Sequence, residues 1–124
     1  MEQTIEISGK KVTFKKTGAT MLQYKRQTGR EFYKDLSAFL NCVGFDENGE
    51  IKNISKETAV NVMTETDFDY MYDMLHIMAR AADKSIPADC LEWLEEFDNF
   101  PVLQIFCELL PMINGEMAVD KKNA

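Results

Sequence analysis

Apolar positions recur along this chain in two distinct periods, and the change from one to the other divides it into elements. Thr4-Ile5-Glu6-Ile7 and Lys11-Val12-Thr13-Phe14-Lys15 alternate apolar with polar, which predicts two strands. If Gly9-Lys10 forms the turn, it is type II′, with Ile7 facing Val12 and Ile5 facing Phe14 on one apolar face. From Thr17 the period becomes helical. A helix is expected from Thr20, capped by Thr20 with Gln23 or else by Thr17, to Thr28, and Gly29 is expected to stop it. A second helix over Glu31–Val43 carries Phe32, Leu36, Phe39 and Val43 as one stripe.

The densest packing signal lies between Thr66 and Ile113, where three helices follow one another. The first runs from about Asp67 to Ala82, with Thr66 as its cap answered by Asp69, and carries Phe68, Met71, Tyr72, Leu75, Met78, Ala79 and Ala82. The second follows Ile86-Pro87 and carries Leu91, Trp93, Leu94 and Phe97. The third opens at Phe100-Pro101 and is apolar almost all round, so its own fold or a partner must cover it. Pro111 cannot donate to the carbonyl of Cys107 and is expected to bend or stop it. Gly44–Ser55 reads as a loop, and Ser55–Thr64 as a short helix weakened by Val60 and Val62. The prediction is an α+β fold, mainly α: a hairpin at 4–15 packed on about five helices after residue 17, one domain over 1–113, and a flexible tail at 114–124.

Composition narrows the function. A chain of 124 residues with 45% hydrophobic content can build a core. It has neither an apolar run of membrane-spanning length nor a secretory leader pattern. Cys42, Cys90 and Cys107 stand in apolar contexts without CxxC spacing, which predicts reduced, buried thiols in a cytoplasmic protein. Charge is segregated. Residues 1–34 hold eight Lys/Arg and three Glu, a net +5, and residues 35–124 hold six Lys/Arg and eighteen Asp/Glu, a net −12. The acidic total disfavours nucleic acid and acidic membranes as partners, while the basic third could meet the acidic part of a neighbouring copy.

No catalytic, metal or cofactor constellation stands out. Asp46-Glu47-Asn48-Gly49-Glu50 places its Gly two positions too early for an EF-hand loop. His76 shares a helix face with Asp69, Asp73 and Arg80, which reads as a solvated face with i,i+3 and i,i+4 pairs. A hydrolase using His76 with Asp73 is the enzymatic rival. Asp89, Glu92, Glu95, Glu96 and Asp98 surround Trp93, predicting an exposed acidic face, or else a protein-binding surface anchored by Trp93 or Phe97. Lys10, Lys11, Lys15 and Lys16 read as a solvated hairpin face. The basic N-terminal third leaves a phage regulatory module binding DNA or a host protein as the alternative function.

Two stretches carry a family likeness. Residues 14–36, with Thr28-Gly29-Arg30 between two helices, resemble the tail assembly chaperones of long non-contractile-tailed phages and prophages of Gram-positive bacteria. So do residues 79–101, with Ala79-Arg80-Ala81-Ala82, Trp93-Leu94 and Phe100-Pro101. The order of parts is similar over roughly 5–113. The resemblance implies a non-enzymatic protein, without cofactor, that binds the tape measure protein and promotes polymerisation of the tail tube protein around it. It implies action in the host cell cytoplasm, absence from the mature virion, and a longer frameshifted form of the same chain. On that reading Trp93, Phe97, Phe100, Phe106 and Leu110 are candidate contacts for a helical partner laid in a groove, and each equally fits a core position. The eight methionines would give adaptable contacts to such a partner, or fill the core. The apolar last helix makes a homo-oligomer the expected state.

Overall fold

The computed structural model describes residues 1–40 and 68–114. Among them the fold is α+β and mainly helical. Strands β1 (Glu2–Ile7) and β2 (Lys10–Lys15) form an antiparallel hairpin. Helices α1 (Thr20–Thr28), α2 (Phe32–Leu40), α3 (Asp69–Ala82), α4 (Cys90–Leu94) and α5 (Val102–Ile113) follow. Hairpin and helices share one hydrophobic core, from Ile7 to Ile113. The expected elements at 44–64, Val43, Cys42, the Thr66 cap, and the tail beyond Asn114 lie outside the described residues.

The hairpin keeps its predicted apolar face but not its predicted register. Ser8-Gly9, not Gly9-Lys10, forms the turn, and both residues take positive φ, +50° and +81°, as a type I′ turn requires. Ile5 therefore pairs with Val12, and Ile7 with Lys10. The shift is two residues, and side chains alternate, so Ile5, Ile7, Val12 and Phe14 stay on the same face. Ser8 is an unusual residue for this conformation, and a tertiary contact accounts for it. Its hydroxyl donates to the Asn99 carbonyl at 2.6 Å and accepts from the Asn99 N–H at 3.0 Å. Lys10 reaches the same loop and donates to the Glu96 carbonyl at 2.9 Å.

Neither proposed residue caps α1: the cap position is Ala19, which makes no side-chain cap bond, and Thr17 and Thr20 instead order the turn that leads into the helix. Thr17 Oγ1 accepts from the Ala19 N–H at 3.1 Å, and the Thr20 hydroxyl accepts from the Thr17 N–H at 2.9 Å. The two hydroxyls thus satisfy the N–H groups of Thr17 and Ala19 in that turn. At the other end Gly29 is left-handed at φ +74°, and its N–H closes on Lys25. Thr28 donates to the Tyr24 carbonyl at 2.7 Å and accepts from the Arg30 N–H at 3.1 Å. Gly29→Ala should cost about 1 kcal/mol, because a Cβ is disfavoured at this φ. A shift in the urea midpoint with unchanged slope would register it.

Helix α3 is the central element. Tyr70, Met71, Met74, Leu75, His76, Ile77, Met78 and Ala79 are all buried, which no surface helix with one apolar stripe allows. It packs against β2, α1, α4 and α5. Met71, Met74, Met78 and Met112 lie in the core, so these four methionines fill space inside the fold. Helix α5 is covered by its own chain, the first of the two kinds of cover expected for it. Its exposed positions are Gln104, Glu108 and Pro111, one narrow stripe. Pro111 does not stop the helix either. It sits in the last turn, and α5 continues to Ile113, where the Asn114 N–H bonds the Leu110 carbonyl at 2.9 Å.

Candidate functional site

Four of the five residues singled out for partner contact fall into two aromatic groups, and all five but Phe100 are buried in the core. Trp93 on α4 is 1% exposed. Its ring meets Phe97 at 5.5 Å and Phe100 at 5.4 Å, both edge-on, and the Phe97 and Phe100 rings meet at 5.4 Å. Tyr72 of α3 lies 6.0 Å from Phe100, and Lys10 places its ammonium 5.5 Å from the centre of the Phe97 ring. Phe100 is only partly buried, unlike Trp93 and Phe97. Phe106 on α5 belongs to a second group, with Phe32, Phe39 and Tyr70 at 6.2, 5.6 and 5.8 Å. Leu110 is buried one turn further along α5. A partner would reach Trp93, Phe97, Phe106 or Leu110 only after the packing over them opened.

His76 corrects a sequence reading. It lies at 5% exposure rather than on a solvated face. The turn at Ile86-Pro87 folds α4 back over α3, and Trp93 covers the imidazole at 5.5 Å. His76 Nε2 lies 2.8 Å from the Pro87 carbonyl, which can only accept, so Nε2 carries the proton in this contact. Arg80, one turn along, donates from Nε to the Ile86 carbonyl at 3.2 Å. Both side chains thus pin the turn that positions Trp93. The one sequence signal for this burial was the shortness of that turn. Among the described residues, no group of three or more His, Cys, Asp or Glu is arranged to hold a metal ion.

The surface carries the charge that the sequence predicted for it. Asp89, Glu92, Glu95, Glu96 and Asp98 are all exposed. The basic hairpin is less open. Lys16 is buried, and Lys10 is held on Glu96 and Phe97. Sequence reasoning missed the large apolar side chains that do face solvent, above all Leu22 on α1 at 51% and Leu91 on α4 at 64%. Periodicity grouped Leu91 with the core, but α4 has only five residues and its buried side is occupied by Trp93.

Burial pushes the Cys107 thiol up to about 11. It does the same for Cys90, to about 11, aided by the charges of Asp73 and Asp89. Both cysteines are free and half-buried. Alkylation of either by iodoacetamide at pH 7.5 should run roughly a hundredfold or more below an ordinary exposed thiol, and accelerate as pH approaches 11. Peptide mass analysis over time would show it.

Among the described residues, no helix is long and apolar enough to cross a membrane. No protein-family model, no curated protein and no solved structure matches the chain.

Proposed function

We propose that this chain is a phage or prophage tail assembly chaperone, a non-enzymatic protein that binds the tape measure protein and promotes tail tube polymerisation. The observation that carries the reading is the likeness of residues 14–36 and 79–101 to that family. The motifs of that likeness coincide with two joints of the fold. Thr28-Gly29-Arg30 ends α1 and turns the chain into α2. Trp93, Phe97 and Phe100 fasten the α4–α5 connection to α3. Its partners are the tape measure protein, the tail tube protein, a longer frameshifted form, and further copies of itself. It acts in the host cytoplasm and leaves before the virion matures. Of the candidate contacts, Phe100 is the one that is not fully buried in the fold.

The test is a pull-down with the tagged chain from a lysate producing the phage proteins, every captured band being identified by mass. A very long helical protein, with or without the tube subunit, is the expected capture. A lysate that contains the tape measure protein but yields none of it overturns the proposal.

A further inference from the structure

The segregation of charge in the sequence becomes, in the structure, two helix faces of opposite sign, each centred on an exposed leucine. On α1, Leu22 stands 51% exposed, with Lys25 and Arg26 one turn on and Gln23 beside it, all exposed. Lys25 is paired to Glu31, which leaves Arg26 as the outward cation of that turn. On α4, Leu91 stands 64% exposed, with Glu92 beside it and Glu95 one turn on, and Asp89 and Asp98 at the two ends. The sequence from Ser85 to Asp120 contains no Lys, Arg or His, so this stretch of chain brings no cation of its own to the face. The chain already makes one contact of this kind within itself. Lys10, from the basic third, crosses to the end of α4, donates to the Glu96 carbonyl and lies over Phe97. That contact leaves Glu92, Glu95 and the Leu91 side chain facing outward.

We propose that the acidic α4 face around Leu91 docks on the basic α1 face around Leu22 of a second copy of this chain. The inference deepens the self-association in the chaperone reading by naming its two faces, and it stands apart from capture of the tape measure protein. The faces are unlike, so each copy brings one of each to its neighbours. The patch is small, and its charges lie in water. The contact is therefore weak and salt-dependent, with steering by charge and a short apolar seal between the leucines.

Sedimentation velocity of the full chain tests it, at about 0.05 M and about 1 M NaCl, between which the screening length falls severalfold. The expected result is an average mass above the 14.3 kDa monomer at low salt, returning towards 14.3 kDa at high salt. Two variants reverse one face each: Gln23→Glu with Arg26→Glu, and Glu92→Lys with Glu95→Lys. All four side chains are exposed, so the fold should hold, and far-UV circular dichroism checks it. Each variant alone should lose more than about tenfold in association constant, because like charges then meet. An equimolar mixture should regain the lost mass, because each variant supplies the face that the other now complements. If a variant fails to fold, Leu22→Ser and Leu91→Ser carry the same test, each lowering the mass at low salt. A chain that stays monomeric at low salt, an assembly indifferent to salt, or a mixture no heavier than its parts overturns the proposal. Tape measure capture can succeed or fail independently of all three.

Discussion

Phe106→Ala should remove about 3–5 kcal/mol of stability, the range for deleting a large buried aromatic ring from a packed core. Phe106 is 0% exposed and is the point where α2, α3 and α5 meet. Phe32 and Phe39 come from α2 and Tyr70 from α3, and each ring presents an edge or a face to it at 5.6–6.2 Å. Alanine would leave a cavity bordered by three rings that are themselves held from behind, so collapse would be incomplete. Against a total of about 5–15 kcal/mol for a domain, that loss is severe. The melting temperature should fall by roughly 10–20 °C. Phe106→Leu keeps most of the volume and should fall much less. The same pair separates core from contact. A Phe106 used mainly for partner binding would lose capture in both variants while the melting temperature stayed near wild type. Leu91→Ala is the control, expected within about 0.5 kcal/mol because its side chain is already in water.

The sequence was most legible where one local rule decided the outcome. Gly29 had to end α1, because only a residue tolerant of positive φ suits that position. The hairpin's apolar face was legible from alternation alone. Its register was not, because Gly9 fits both turns, and the choice rests on Ser8 bonding Asn99 at the far end of the chain. No local pattern carries a contact across that separation. His76 failed for a similar reason. Its neighbours three, four and seven positions away are charged, which is the mark of a wet face, yet α4 returns over it and brings Trp93. Helix α5 was recognised as needing cover on most sides, and the hairpin, α2 and α3 supply that cover. The partner candidates were chosen for size and apolarity, which are also the marks of a core. Leu91 was grouped with the core by spacing alone, which does not show that Trp93 fills the buried side of so short a helix. Thus the architecture followed from periodicity, whereas the surface depended on which sides the tertiary contacts left open.

Asp35→Ala should cost about 2–3 kcal/mol, through the group it leaves behind rather than the one it removes. Tyr24 is wholly buried, and its hydroxyl donates to Asp35 Oδ2 at 3.0 Å. Arg30, delivered by the Gly29 turn, lies against both oxygens of the same carboxylate, with Nε 3.1 Å from Oδ2 and one terminal nitrogen 3.2 Å from Oδ1. Arg30 is partly open to water and can be resolvated, so the unpaired Tyr24 hydroxyl carries most of the loss. Asp35→Asn keeps an acceptor and should lose less. The network also gives a pH signature. Burial, then the hydrogen bond and charge of Asp35, hold the Tyr24 hydroxyl protonated well above its ordinary value of 10.0. In the unfolded chain the hydroxyl ionises near pH 10, whereas in the fold it does not. Above that pH the native state binds the extra proton, so stability falls as pH rises, by about 1.4 kcal/mol per unit from this one group. Below pH 10 the contribution is intact. Tyr24→Phe loses the hydrogen bond but should flatten the alkaline limb of a stability–pH curve measured by urea unfolding. Asp35→Ala should shorten that limb, since two of the causes vanish with the carboxylate. An alkaline limb equally steep in wild type and Tyr24→Phe would place the titrating proton on another residue and free Tyr24 from this role.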